Sequence, residues 1–247
     1  MRLTIFIIFF FLMDHVHSKQ IHIFGDSHSC EFSHTAFYQN FGKMHKNPDS
    51  IPLCIVHYLG PVTMHRIGRD GYPIENTEVK EGDIVIFAFG EIDARCHILK
   101  QTEFAGKSID ETIDILANNY LRAILKCRFS YQELIFMVYS VTSPIDLGFN
   151  YQEFPYYGSL DNRVIVTKKL NAKLSLLCEK FDIAFIDVYD HFAIEDGSLN
   201  PLLSDGNVHI SPKYNTPIWN KIELLLALLD NSSLREFRSS LRCLKAA

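Results

Sequence analysis

Five short, largely apolar runs limit what this chain can become: Ile21 to Phe24, Leu53 to Val56, Ile84 to Phe89, Leu134 to Tyr139 and Ile183 to Val188. Each is rich in β-branched or aromatic residues, and its apolar side chains fall at consecutive rather than alternating positions. Alternation marks a strand with one wet face; continuity marks a strand covered on both. Between the runs lie helix-period stripes, Ile109, Ile113, Leu116, Tyr120 and Ile124 on one and Leu170, Leu174, Leu177 and Phe181 on another. A last helix is expected from about Pro212 to Leu229, with Pro217 obscuring its start. Strands alternating with helices imply a three-layer α/β/α sandwich around about five parallel strands. The 247 residues hold no linker or internal repeat, so one domain is expected over 19–230.

The ends read differently. Arg2 precedes an uninterrupted apolar run from Leu3 to Met13, and Val16 and Ser18 are small enough to precede a signal-peptidase cut. Residues 1–18 are therefore expected to be a signal peptide, with Lys19 as the mature N-terminus of a secreted or periplasmic protein. The run falls short of the roughly 20 apolar residues of a membrane span, so membrane contact is expected only through this segment, if uncleaved. Residues 231–247 form a C-terminal tail, and Asn231-Ser232-Ser233 fits a glycosylation acceptor in a eukaryotic secretory cell. The net charge of −5, with nothing basic clustered before the tail, argues against a nucleic-acid partner. Six cysteines stand too far apart for zinc pairs; Cys54, Cys127 and Cys178 suit buried structural positions, and no pairing can be chosen for Cys30, Cys96 and Cys243. No metal or organic cofactor is expected.

In a parallel sheet, ligands bind beyond the carboxyl ends of the strands. The first run is followed by Gly25-Asp26-Ser27-His28-Ser29, the second by Gly60-Pro61-Val62-Thr63 and the third by Gly90-Glu91-Ile92-Asp93-Ala94-Arg95; outside any run lies Ser204-Asp205-Gly206-Asn207-Val208-His209. A serine hydroxyl is a weak nucleophile until a base takes its proton, and the base needs a carboxylate to fix its tautomer. Ser27, His209 and Asp205 could fill those roles. Taken alone, Gly-Asp-Ser is as well explained by a turn and a helix N-cap.

The four segments together resemble the ordered blocks of the SGNH, or GDSL-like, hydrolases. Ile23 to Ser29 is similar to the first block, in the form where His follows Ser, as in many acyl-sugar esterases and acyltransferases. The resemblance implies a flavodoxin-like α/β/α fold, Ser27 as nucleophile and an oxyanion hole from the N–H groups of Ser27 and Gly60, with Gly68 and Gly71 as competitors for the second donor. Gly90 to Asp93 is similar to the third block, and Asp205 to His209 to the last, which carries the Asp and His.

Two positions depart from the family pattern. Ile92 stands where the third block has an Asn that donates to the oxyanion, a contact whose loss typically costs roughly a hundred- to a thousand-fold in rate; Arg95 and His97 are candidate substitutes. Asp205 lies four residues before His209 rather than three, an extra residue that the turn at Gly206 could absorb. His28 is either a loop residue or a substrate contact. Glu91, Asp93 and Arg95 either bind substrate or form an ion-pair network, while His57, His65 and Arg66 are candidates to line the cleft, and Tyr151 to Tyr157 either covers the sheet edge or stacks on a sugar. The expectation is a serine esterase acting on a small-molecule or glycan acyl ester; an O-acyltransferase, or a binding module that keeps the fold with impaired catalysis, are the alternatives.

Overall fold

The computed structural model describes residues 19–33, 45–46, 54–72, 74–146 and 155–229. The expected signal peptide, the glycosylation sequence, Cys243 and most of the Tyr151 to Tyr157 stretch lie outside these residues.

Every expected strand forms. They are β1 (Ile21–Gly25), β3 (Cys54–Tyr58), β4 (Ile84–Ala88), β5 (Ile135–Tyr139) and β6 (Ala184–Ile186), joined by a two-residue edge strand β2 (His45–Lys46). The spatial order is β2-β3-β1-β4-β5-β6, parallel throughout except where β2 meets β3. Without the edge piece, the strand order is 2-1-3-4-5, and the winding reverses beside β1, which opens a crevice at its carboxyl end.

Helices cover both faces, which is why the strands are apolar at nearly every position, the buried His22 of β1 and His57 of β3 being exceptions. On one face Phe24, Val85, Phe87, Phe136 and Val138 pack against α1 (Met64–Asp70), α3 (Ile109–Ser130) and α4 (Leu160–Lys180). On the other, Ile21, Ile23, Ile84, Ile86, Met137 and Tyr139 meet Phe32, Phe192, Ile218, Trp219 and Ile222. Successive strand residues thus feed opposite layers. The expected stripe of α3 is its buried face, and a reciprocal cap of Ser108 with Glu111 starts this helix. Ser159 caps α4.

The C-terminal segment is two elements, a single 3-10 turn at Pro212–Tyr214 followed by a helix over 216–229. Pro217 falls in that helix's first turn, where its missing N–H is no loss. Among the described cysteines, Cys54 and Cys178 are buried, as expected, and Cys127 is partly so.

Candidate active site

Gly25 ends β1 where no larger residue fits, because a Cβ there would lie 2.5 Å from the carbonyl of Ala88 and 2.7 Å from Cβ of Ser29. Asp26 follows as the cap of a short 3-10 helix, Ser27–Phe32, its carboxylate accepting the amide of His28 at 2.9 Å. That cap puts Ser27 at the helix start, above the carboxyl end of β1, with its side chain partly open to the crevice.

The partner loop is built around Gly206. Ser204 and Ile210 pair across it as an antiparallel bridge, the Asp205 amide donates to the His209 carbonyl at 3.0 Å, and the Asn207 amide donates to Asp205 Oδ1 at 2.8 Å. Gly206, at φ 92°, supplies the left-handed residue that lets five positions close where the family uses four. Asp205 Oδ2 is left 3.0 Å from His209 Nδ1, and His209 Nε2 lies 2.8 Å from Ser27 Oγ. Burial would raise the Asp205 carboxyl, but the hydrogen bond and charge of His209, with the amides of Asn207 and His209, hold it below the usual carboxylate range. An ionised Asp205 accepts Nδ1–H and so leaves Nε2 as the acceptor for the Ser27 hydroxyl.

Gly60 stands at the end of β3, tied to β1 by the Leu59 amide, which donates to the Gly25 carbonyl at 2.9 Å. Its φ of 84° is a glycine conformation. The competitors do other work: Gly68 lies within α1 against Asn119 of α3, and Gly71 caps the end of α1. Among the described residues, neither the Ser27 nor the Gly60 amide is spent on a protein acceptor.

The third segment reaches the site by a different route. From Gly90, Glu91 and Ile92 begin a helix that widens into a π-turn, Asp93–His97, before α2 (Ile98–Ala105). Such a bulge rotates the side chains after it and is frequent near functional sites. Asp93 turns inward and accepts the amides of Met64 at 2.6 Å and His65 at 3.3 Å, bracing the start of α1 behind the Gly60 loop. Burial pushes its carboxyl up to about 7 against the pull of those amides. Arg95 Nε donates to Glu91 Oε1 at 2.7 Å and Nη1 to the Pro155 carbonyl at 2.5 Å, which Cys96 Sγ also contacts. Glu91, Asp93 and Arg95, left open by the sequence between network and substrate binding, are thus buried and bonded within the protein.

His28 is likewise buried, at 3% exposure. Its Nδ1 bonds Glu31 Oε1 at 2.7 Å, and its Nε2 lies 3.3 Å from Glu91 Oε2, a charge contact outside hydrogen-bond geometry. Burial would lower this imidazole, but the two carboxylates outweigh it and hold His28 well above the ordinary histidine value. His57 faces the core, stacked on Phe24 at 4.2 Å, and Arg66 pairs with Asp70 on the surface. A cavity of about 390 Å³ shares Thr63, His65, Asp93 and His97 with this region, and its lining does not include the triad.

Sequence reasoning missed Glu31 and Asn215. Glu31 accepts from Tyr139 OH at 3.0 Å and from the Ile210 amide at 3.1 Å, while Asn215 Nδ2 donates to the carbonyls of Glu31 and Ser33 at 3.1 and 3.2 Å. A lone acid between Cys30 and Phe32, two buried apolar residues, was the available signal.

No family model matches the chain, and no curated protein matches it in sequence. Solved structures do match its fold. The structure described as a putative platelet activating factor from Streptococcus pneumonia is 16% identical at a TM-score of 0.55, over 87% of this chain and 86% of that one. A lipase from a goat rumen metagenome is 16% identical at 0.53, over 84% and 97%. A GDSL-like lipase from Bacteroides thetaiotaomicron is 14% identical at 0.50, over 87% and 89%. With the five parallel strands and the helical layers, these likenesses give the chain the SGNH, or GDSL-like, hydrolase fold.

Proposed function

We propose that this protein is a serine esterase that removes O-acyl groups through an acyl-enzyme. The observation that carries the reading is the continuous line Ser27 Oγ, His209 Nε2, His209 Nδ1, Asp205 Oδ2, at 2.8 and 3.0 Å, on a fold shared with lipases and acylhydrolases. Ser27 Oγ attacks the ester carbonyl carbon as His209 Nε2 takes its proton, and the oxyanion forms facing the amides of Ser27 and Gly60. The intermediate collapses, its alcohol leaving with the proton from His209, and Ser27 keeps the acyl group as an ester. Water then repeats the cycle: His209 takes its proton, hydroxide character attacks the acyl carbon, and a carboxylic acid departs as Ser27 recovers its hydrogen. Asp205 holds the imidazole and stabilises its cationic form at each turn.

The His-containing first block supports a carbohydrate as the alcohol part, and the Leu3 to Met13 run supports export. A fluorophosphonate probe tests the chemistry. Wild-type protein should be labelled on Ser27 and should hydrolyse a short-chain aryl ester; Ser27→Ala should lose both while melting at the wild-type temperature. Equal labelling or turnover by Ser27→Ala sinks the assignment.

A further inference from the structure

We propose that His28 is a positioning residue for the catalytic base: clamped between Glu31 and Glu91 and set ring against ring with His209, it fixes that base's place and electrostatic setting. The inference rests on the esterase reading above and deepens it.

The geometry starts with one carboxylate. Glu31 Oε1 takes both His28 Nδ1 at 2.7 Å and the amide of Ile210 at 3.1 Å, so the residue after His209 hangs from the same oxygen as His28. Glu31 Oε2 takes Tyr139 OH at 3.0 Å, and the Thr142 hydroxyl lies 3.3 Å from both oxygens. Asn215 ties the far side of the loop to the same 3-10 helix. The nucleophile's helix, the end of β5 and the base's loop therefore share one buried anchor.

His28 carries charge in this anchor. Arg95, Glu91, His28 and Glu31 form a buried chain of alternating sign, with contacts of 2.7, 3.3 and 2.7 Å. The His28 ring centre lies 4.7 Å from that of His209, tilted by 52°. Asp205 on its own loop and Ser27 and the His28 cation on the 3-10 helix face His209. On the far side of His28 lie Glu31, bonded by Tyr139 from β5, and Glu91, paired with Arg95 from the π-turn segment, with Asp26 at the cap of the helix. Burial pushes Asp26 up to about 7, so it adds little negative charge in the acid range where the half-point is read.

A fixed cation beside a base opposes premature protonation of that base. Removing it leaves Glu31 and Glu91 in excess, and the pH at which activity is lost on the acid side should rise. Removing Glu91 instead leaves positive charge in excess, and the same limb should move the other way. Opposite signs from neighbouring residues are what packing alone does not produce.

The test is the pH dependence of fluorophosphonate labelling of Ser27 in the full chain, for wild type, His28→Gln and Glu91→Gln, with melting curves for each. The expected result is an acid half-point raised by about half a unit or more in His28→Gln and lowered in Glu91→Gln, as Coulomb interactions across 4.7 Å predict at intermediate dielectric. If His28→Gln does not fold, the Glu91→Gln profile decides alone. An unmoved half-point in the folded variants overturns the positioning role while leaving the esterase reading intact. Wild-type protein that the probe does not label at any pH overturns that reading itself, and the positioning role with it.

Discussion

His22 Nδ1 and His57 Nε2 face each other at 2.9 Å inside the sheet layer, and His22 Nε2 lies 3.2 Å from Asp83 Oδ2. Asp83 also accepts the amides of Gln20 and Lys80, so it is the acceptor of this chain, His22 donates to it through Nε2–H, and His57 donates to the bare Nδ1 of His22. Both imidazoles are neutral. Burial lowers His22 despite Asp83, and burial followed by the neighbouring His22 lowers His57 to about 4.

Acid should therefore act on this pair. The folded value for His57 lies below the unfolded 6.5, so as pH falls from about 6.5 to about 4 the unfolded chain binds a proton that the folded chain does not. Stability is lost across that window, by about 3 kcal/mol for a shift of this size. His57→Phe, which can keep the stack on Phe24, should flatten the acid side of a melting-temperature profile relative to wild type. Parallel profiles for the two proteins would count against a neutral buried His57.

Asp26 acts with the opposite sign. Burial, only partly offset by His28, raises its folded value from 3.8 to about 7, so its contribution is present below about 4 and is lost as pH rises through about 7. Asp26→Asn keeps an oxygen for the His28 amide and removes the charge. Its melting temperature should exceed that of wild type at pH 8 and the gap should close toward pH 4, with roughly 2–4 °C expected for each kcal/mol in a chain of this size. A gap independent of pH would mean that ionisation of Asp26 is not the cause.

The layers were legible because both faces of each strand are covered: Phe24 feeds one core and Ile23 the other, which leaves a continuous apolar run in the sequence. The strand β2 was not, since two residues carry no period. Ser27, His209 and Asp205 were legible as residue types after strand ends and in a Gly-containing loop, but the bond from His209 to Ser27 joins residues 182 positions apart and belongs to the tertiary fold. Glu91, Asp93 and Arg95 illustrate the limit. Their spacing as a helix would place Arg95 beside Glu91, as found, while the inward turn of Asp93 depends on the π-turn, whose extra residue per turn leaves no signature in hydrophobic period.

Asp93 links that turn to the oxyanion side of the site. Its carboxylate holds the amides of Met64 and His65, four and five residues beyond Gly60. Asp93→Ala leaves the buried Met64 amide unpaired, a cost of about 1–3 kcal/mol. If steadying the start of α1 also steadies the Gly60 loop before it, as the proposed oxyanion role of Gly60 requires, turnover of an aryl ester should fall by about ten-fold or more at a temperature where the variant is fully folded. Asp93→Asn, which retains one acceptor oxygen, should recover part of the loss. Full turnover in folded Asp93→Ala would separate this brace from the chemistry.

Ile92 decides how complete the oxyanion hole is. It occupies the position at which the resemblance places an Asn donor, and Arg95, a candidate substitute, already donates to Glu91 and to the Pro155 carbonyl. On the proposed reading, the hole is then formed by the Ser27 and Gly60 amides, with His97 the remaining candidate for a third donor. If a third donor is missing, Ile92→Asn should raise kcat by about ten-fold or more, because a donor aimed at the developing oxyanion acts in the transition state rather than on bound ester. KM should change little. A fall in KM with unchanged kcat would instead show that the new amide binds the ground-state ester, since uniform binding lowers KM without accelerating chemistry. No change in either constant, with the melting temperature preserved, would mean that position 92 does not face the oxyanion and that two amides are the whole of the hole.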